Sequence, residues 1–476
     1  MNRAGRVSLL LGIALLAACT AAADEQNFAT TLAIVGATVI HPERELPAAL
    51  EPDTTIVVAG NRIRAVGPSN STPVPETAEV IDGRGKWVVP GLTDSHVHLA
   101  ISANLYARPD IADFRGVVPF EQEVARHLAR LPATFKVWLA SGVTSVIDVG
   151  GPMKNFEIRG QARRSPEAPR VLVAGPLIST VARPELDVGD PPIIEVTTPE
   201  QVRAVVALEL AHRPDFIKVW FIRQRGDDLA AIEPLVRAAG DAAHSAGVRF
   251  AVHATELETA KAALRAGADF LVHSVEDRPV DAEFLALARA RGAIYCPTLF
   301  VMDGYGLALS NTWRATEAEL RLADPQVLAS MADLGKLPAS KVPPWIVRMM
   351  HEGPRWGTQP QARANLRRVW DAGITVAMGT DAGNIGTLHG PSVFRELRMM
   401  VQAGLTPLEA LRSATTNGAK AMGLEREVGT VAPGMLADLV IVDSDPLADI
   451  GNLSRVHRVV RNGRVLDPER LIESIR

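Results

Sequence analysis

Cysteine is almost absent: Cys19 and Cys296 are the only two among 476 residues. Cys19 lies in a segment that reads as a removable leader, so no disulfide framework is expected. Cys296 stands in the apolar run Ala293-Ile294-Tyr295-Cys296-Pro297, where a buried structural thiol is the natural reading. Charge of one sign is also lacking. The formal net charge is −4, and no basic stripe or long charge run occurs, which argues against nucleic-acid binding. There is no low-complexity tract and no short internal repeat. A hydrophobic content of 47% over this length supports a large core and excludes a disordered chain.

The N-terminus carries a targeting signal over residues 1–23. Arg3 and Arg6 precede a short apolar stretch, Val7 to Ala18, which is too short to span a bilayer comfortably. Two cleavage sites compete. Leu16-Ala17-Ala18-Cys19 has the form of a lipobox, in which Cys19 would be lipidated and become the mature N-terminus. Ala21-Ala22-Ala23 before Asp24 suits an ordinary signal peptidase. The lipobox is favoured because a cysteine, otherwise scarce, stands where one is required. Either way an exported protein of the periplasm or cell envelope is expected, with membrane contact only through a lipid anchor. No later segment reads as transmembrane.

Residues 30–88 are strand-like and punctuated. Ala33–Ile40 and Thr55–Ile63 are β-branched runs, with Gly60-Asn61 as a hairpin signal. Residues 425–476 repeat the style in Ala437–Val442, Val456–Val460 and the turn Asn462-Gly463, so a small β-sandwich built from both termini is expected. Between them, over 89–424, strands alternate with helical segments. Candidate strands are 88–94, 144–147, 171–173, 216–219, 250–252, 270–272, 293–295 and 375–378. That α/β pattern predicts a TIM (β/α)8 barrel. A long gap at 301–370, with Trp313, Trp345, Trp356 and Met349-Met350, reads either as a separately packed helical insertion or as a lid.

In such a barrel chemistry gathers at the C-terminal ends of the strands. His96 and His98 follow the first strand, and residues two apart in an extended segment point to one side, so both imidazoles can bind one ion. Lys218 is read at the end of the fourth strand, His253 the fifth, His273 the sixth and Asp381 the eighth. A lone histidine at a strand end is usually a packed or solvated residue; six metal-capable side chains converging on one rim point to a metal site. The other histidines, His41, His127, His212, His244, His351 and His457, read as solvated. His389 follows the Asp381 loop and is a candidate substrate contact.

The chain resembles the amidohydrolase superfamily, and within it the imidazolonepropionase-like and prolidase-like (Xaa-Pro dipeptidase) branch. The resemblance rests on Pro90-Gly-Leu-Thr-Asp-Ser-His-Val-His98, Gly142-Val-Thr-Ser-Val-Ile-Asp-Val-Gly-Gly151 and Gly379-Thr-Asp-Ala-Gly383. It continues through Ala403–Leu411 and Ala414–Ala419 to Gly429–Val440. It implies two divalent ions, zinc first, with His96, His98 and Asp381 on the buried one, and His253 and His273 on the more exposed one. Lys218 would bridge both as a carboxylated lysine. Charge favours that modification, since an ammonium about 4 Å from two dications is repelled by several kcal/mol even at an effective dielectric near 20. Asp381 would move the proton between the attacking water and the leaving nitrogen.

Three functions follow from these readings. The first is a two-metal peptidase or amidase acting on a dipeptide, an N-acyl amino acid or a similar small amide. The second is a one-metal deaminase or cyclic-amide hydrolase, because His253-Ala-Thr-Glu256 has the His-x-x-Glu spacing that deaminases of the superfamily use. Lys218 argues against it, and Glu256 equally suits the first turn of the following helix. The third is an inactive binding relative, which a missing ligand would mark; none is missing. The chain departs from the prolidase-like branch where a Gly-Gly-His-Gly stretch is common, holding Leu177 to Arg183 instead, and in the bulky Trp220 to Gln224. A substrate carboxylate is expected to meet an arginine fork, Arg223 first and Arg183 second, and Tyr305 is a further substrate-binding candidate. A homo-oligomer stays open.

Overall fold

The computed structural model describes residues 31–224 and 226–476. The leader, both cleavage sites and the expected lipidation of Cys19 lie outside the described residues. Among the described residues no helix is long and apolar enough to cross a membrane.

Strands are numbered β1 to β17 in chain order. The first five, β1 (Thr31–Ile40), β2 (Leu50–Ala59), β3 (Arg62–Pro68), β4 (Glu79–Asp82) and β5 (Trp87–Pro90), meet the last three, β15 (Leu439–Val442), β16 (Val456–Arg461) and β17 (Arg464–Leu466). Together they form one hydrogen-bonded sheet of eight strands in the order β17-β16-β15-β5-β1-β2-β3, with β4 also on β1. The expected sandwich of two sheets is therefore one continuous ladder. Irregularities between Ile34 and Ala37 and between Ala37 and Val39 bend β1, so its first half pairs with β4 and its second half with β5. Gly60-Asn61 and Asn462-Gly463 make the tight turns. Leu32, Ile34, Ile56, Val88, Leu439 and Val460 are buried in the core of this sheet.

The run expected as one strand from Val88 to Asp94 splits in two. β5 stays in the terminal sheet, and β6 (Leu92–Val97) starts the α/β region. Gly91 sits at the break because a Cβ there would lie 2.1 Å from Thr144 Oγ1. β6 pairs in parallel with β7 (Val143–Asp148), and β7 with β8 (Arg170–Val173). A second parallel sheet runs β10-β9-β11-β12-β13-β14, comprising β9 (Leu177–Ser179), β10 (Ile193–Glu195), β11 (Phe216–Trp220), β12 (Arg249–His253), β13 (Phe270–Val272) and β14 (Ile294–Cys296). β9 and β10 have no counterpart in the sequence reading. β7 is buried along its whole length, as parallel strands covered on both faces are.

The two sheets do not close into one ladder. Single bridges connect them, Ala174 to Phe216 and Tyr295 to Val376, and another joins Val97 to Ala382. The expected eighth strand, Thr375–Met378, is an extended segment held by isolated bonds: Tyr295 N to Thr375 O at 2.9 Å and Ser95 N to Met378 O at 2.9 Å. It does not run on as a ladder because the chain turns just beyond it, with Asp381 at φ 61°.

Helices cover the outer faces, each started by local chemistry. Thr198 and Gln201 form a capping box for Pro199–Leu210, and Thr406 and Glu409 do the same for Pro407–Ala414. The 301–370 segment is helical; Leu322, Ala362, Leu366 and Val369 join the main core, and most of the rest packs in a second cluster. Leu309, Trp313, Leu334, Ile346 and Met349 form a core with Leu105 and Phe114 of the loop after β6 and with Ile385 and Leu388.

Candidate metal centre and active-site cavity

The polar centre is assembled from the strand ends. His96 lies in β6 and His98 just past it, and their alternation brings both imidazoles onto one carboxylate. Nε2 of each is 3.1 Å from Asp381 Oδ1. His273, directly after β13, places Nδ1 4.0 Å from Asp381 Oδ2. His253 ends β12, with its ring centroid 4.5 Å from that of His273. Lys218 sits in the middle of β11 rather than at its end, and only 1% of it is exposed. All six line one cavity.

Backbone geometry is specialised here. His273 (φ 75°), Thr298 (φ 43°) and Asp381 (φ 61°) all hold left-handed conformations. For side chains other than glycine these cost about 1 kcal/mol or more each, and they persist where the surroundings over-determine them. Asp381 N donates to His96 O at 2.7 Å, and His273 N to Cys296 O at 2.8 Å, which fixes both turns. Gly379 is required by crowding: a Cβ there would lie 2.5 Å from Cys296 Sγ and 2.9 Å from His96 Cβ. Cys296 itself is fully buried.

Other side chains orient the centre. His98 Nδ1 is 2.7 Å from Gly150 O, and His273 Nδ1 is 2.7 Å from Thr298 Oγ1. Asp94 accepts from Thr380 Oγ1 at 2.6 Å and Thr380 N at 2.9 Å. Asp148 accepts from Leu99 N at 2.6 Å, Gly150 N at 3.2 Å and Asn155 Nδ2 at 2.9 Å. Burial pushes Asp94 up to about 7 and Asp148 up to about 6. Burial likewise lowers Lys218 to about 7, His96 to about 4 and His253 to about 3. Asp381 goes the other way. Burial works to raise it, but His96 and His98 beside it hold it well below the usual carboxylate range.

The donor set fits a divalent cation. Nδ1 and Nε2 of His96 and Oδ1 of Asp381 are buried without a hydrogen-bond partner among the described residues, although His96 and Asp381 approach to 3.1 Å. Lone pairs that face one another across a gap, without hydrogen-bond angles, are what metal ligands present. His96, His273 and Asp381 offer one ligand atom each within 4.8 Å of one another.

The cavity encloses about 480 Å³, a size suited to a small-molecule substrate. Away from the polar centre its wall is apolar, with Ile101, Ile111, Phe120, Leu128, Val301 and Met302. A family model described as the amidohydrolase family matches residues 87–466, which spans both the cavity and the returning strands of the terminal sheet. The chain belongs to the amidohydrolase family. Members of this family generally bind metal ions, and the chain is a hydrolase of carbon–nitrogen bonds. This amidohydrolase is 27% identical over 442 residues to an imidazolonepropionase of Symbiobacterium thermophilum, covering 90% of this chain and 93% of that protein. It is similar to a prolidase solved with N-methylphosphonate-L-proline (26% identity, TM-score 0.69, 92% of this chain and 100% of that one). An ochratoxinase of A. niger shares the fold at 20% identity, TM-score 0.66, over 92% and 96% of the two chains.

Several of the amidohydrolase's predicted contacts fall elsewhere. Arg223 is ion-paired with Glu256 at 2.7 Å, and neither residue lines the cavity. Glu256, the acid of the His-x-x-Glu spacing, is thus engaged by Arg223. Arg183 stacks on Trp220, 5.0 Å from the ring centroid, and also stays out of the lining. His389 is buried behind the centre, with Nε2 3.1 Å from His98 O, and lines a different cavity. His127 and His41, expected in solvent, are buried, the first on Leu99 O at 2.9 Å and the second between Glu43 and Glu51. Tyr305 does line the cavity and donates to Asn384 Oδ1 at 2.7 Å. Sequence reasoning missed Arg108, Asp148, Thr298 and Glu276. Arg108 lines the cavity, clamped by Asp110 through bonds of 2.8 and 2.7 Å. The Gly150–Gly151 segment matched the family and could have pointed to Asp148; the loop arginine and glutamate carried no such signal.

Proposed function

We propose that this chain hydrolyses an amide bond of a small molecule, of the dipeptide or N-acyl amino acid type, at a binuclear centre in a (β/α)8 barrel. The observation that carries the reading is the approach of His96 and His98 to Asp381 Oδ1 at 3.1 Å, with unpartnered ring nitrogens on His96 and a buried lysine in the same cavity. The bridges Ala174–Phe216 and Tyr295–Val376 support the barrel.

His96, His98, His253, His273 and Asp381, with Lys218 as a carbamate, would hold two divalent ions, zinc first, which when bound acidify water and polarise the scissile carbonyl. Burial leaves the Lys218 amine with a lowered proton affinity. A neutral amine captures carbon dioxide, giving an anionic oxygen ligand in place of a repelled ammonium. Asp381 takes the proton of the attacking water and delivers it to the leaving nitrogen. Thr298 and Gly150 O hold His273 and His98 in fixed ring orientations, and the apolar wall excludes bulk water.

The test is elemental analysis of active protein, expected to give about two ions per chain, with Lys218→Ala losing most activity and recovering part with added short-chain carboxylates. The substrate screen covers dipeptides, N-acyl amino acids, lactones and cyclic amides. One ion per chain with full activity in Lys218→Ala would overturn the binuclear reading.

A further inference from the structure

Among the carboxylates that line the cavity, Glu276 is used neither by the hydrolytic machinery nor by a partner among the described residues. Glu276 lies three residues beyond His273, on the loop after β13, and lines the same cavity. Its backbone N–H donates to Thr255 O at 2.8 Å, which pins the loop to the wall beside Thr255, itself a lining residue. Its carboxylate is half-buried and makes no hydrogen bond or ion pair among the described residues.

Other buried acids near the centre are supplied with donors. Asp94 has Thr380, Asp148 has two backbone amides and Asn155, and Glu396 accepts from Leu299 N and Phe300 N at 2.8 Å each. The loop acid next in sequence is also engaged, Asp277 accepting from Leu257 N at 2.8 Å. The cavity that Glu276 lines is walled largely by apolar side chains, Ile101, Val301 and Met302 among them, and no donor of that lining is bonded to its carboxylate among the described residues. The cavity's cations are already committed. Arg108 is clamped by Asp110, Lys154 Nζ donates to Glu157 at 2.8 Å, and Lys218 belongs to the polar centre. Of the remaining lining acids, Asp190 accepts from Met153 N at 2.9 Å and Lys154 N at 3.0 Å, and Glu121 is exposed and needs only water.

We propose that Glu276 is a cation-recognising residue of this cavity, so that the preferred substrates carry a protonated amine, such as the free α-ammonium of a dipeptide, and N-acylated amino acids are poor substrates. This rests on the proposed amide hydrolysis and narrows it. A carboxylate desolvated without a partner is costly, and an ammonium placed beside it restores a charge-assisted bond in a medium poorer in water than the bulk. Burial pushes the carboxyl up to about 7, with no nearby group acting to lower it.

The experiment compares a dipeptide with its N-acetyl counterpart on the metal-loaded protein, as wild type, Glu276→Gln and Glu276→Asp. Wild type is expected to favour the free amine by at least about tenfold in kcat/KM, mainly through KM. Glu276→Gln should reduce that ratio at least about tenfold, and Glu276→Asp should keep part of it. Calorimetry with 4-phenylbutylamine and 4-phenylbutanol reads binding without turnover. The amine should bind Glu276→Gln at least about tenfold more weakly than wild type, and the alcohol should show no such difference. Amine binding through the metals alone would be the same in both proteins and would overturn the proposal. So would an unchanged ratio in Glu276→Gln, or a wild-type preference for the N-acetyl compound. If no amide is hydrolysed but amine binding still depends on Glu276, the reaction fails and the recognition stands.

Discussion

Two groups of histidines lie back to back in this protein. His127 and His389 stack at 5.5 Å with an interplanar angle of 18°, and each finds a backbone carbonyl, Leu99 O and His98 O. His96, His98, His253 and His273 crowd edge to face, with centroids 4.5–5.1 Å apart, around one carboxylate. His127, His389 and His96 are buried and His98, His253 and His273 half-buried; the sharper difference is in partnering. The first pair is satisfied by protein acceptors and reads as packing. In the second, both nitrogens of His96 lack hydrogen bonds, and the chain bends into left-handed turns at His273 and Asp381, where these side chains come together. A buried histidine is thus a weak sign of function, as is a lone unsatisfied one such as His41 between Glu43 and Glu51; several histidines converging on one carboxylate are a stronger sign.

That contrast predicts a division of effects. The largest belongs to Asp381, which both His96 and His98 face. Asp381→Asn should keep the fold and lower turnover by at least about a hundredfold, the scale of losing a proton-transfer group. Near-normal turnover across pH would place the proton on another residue and remove Asp381 from the chemistry.

His389 tests the other side of the comparison. His389→Ala removes a bond to His98 O and a stacked ring, so stability should fall by about 1–3 kcal/mol. Metal content should not change, and turnover should fall less than about tenfold. Loss of metal in this variant, measured by elemental analysis, would show that the two histidine groups are not separable.

The smallest effect lies away from both groups, at Glu209 in the helix Pro199–Leu210. Its carboxyl is fully buried, accepts one bond, from Gly175 N at 3.1 Å, and is pushed by burial up to about 8. Because this value lies above the ordinary 4.5, the folded protein binds the proton more tightly than the unfolded chain. Its contribution to stability is full below about 4.5 and is lost as pH rises towards about 8. Glu209→Gln should therefore gain in Tm relative to wild type as pH rises through that window, by about 3 °C near pH 8. A difference in Tm that does not vary with pH would mean that Glu209 is already ionised in the folded state.

Much of the centre is legible in the sequence because its rules are local. Alternation along an extended segment puts His96 and His98 on one side whatever surrounds them. The apolar runs ending at His253 and before His273 mark strand ends. Where the rule was not local, the sequence misleads. Arg223 follows Lys218 closely yet turns to Glu256, because the loop after β11 meets the loop after β12. His389 follows Asp381 yet points behind the centre, where the helix Phe120–Ala129 brings His127 against it. The eighth strand is legible as an apolar run, but its lack of a ladder is set by the turn at Asp381 and by isolated bonds to Tyr295 and Ser95.

The alternating β/α plan, the family and the set of metal-capable side chains are written in the sequence, since spacing of two and strand-end placement are properties of a short stretch of backbone. Which charges enter the cavity is set by the three-dimensional packing of the loops. Arg108 arrives there from the loop after β6 and Glu276 from the loop after β13, and each side chain's role depends on whether a distant segment supplies its partner. Asp110 clamps Arg108, and no hydrogen bond or ion pair reaches the Glu276 carboxylate among the described residues. Pairing between loops far apart in sequence is fixed by packing, which no local periodicity records.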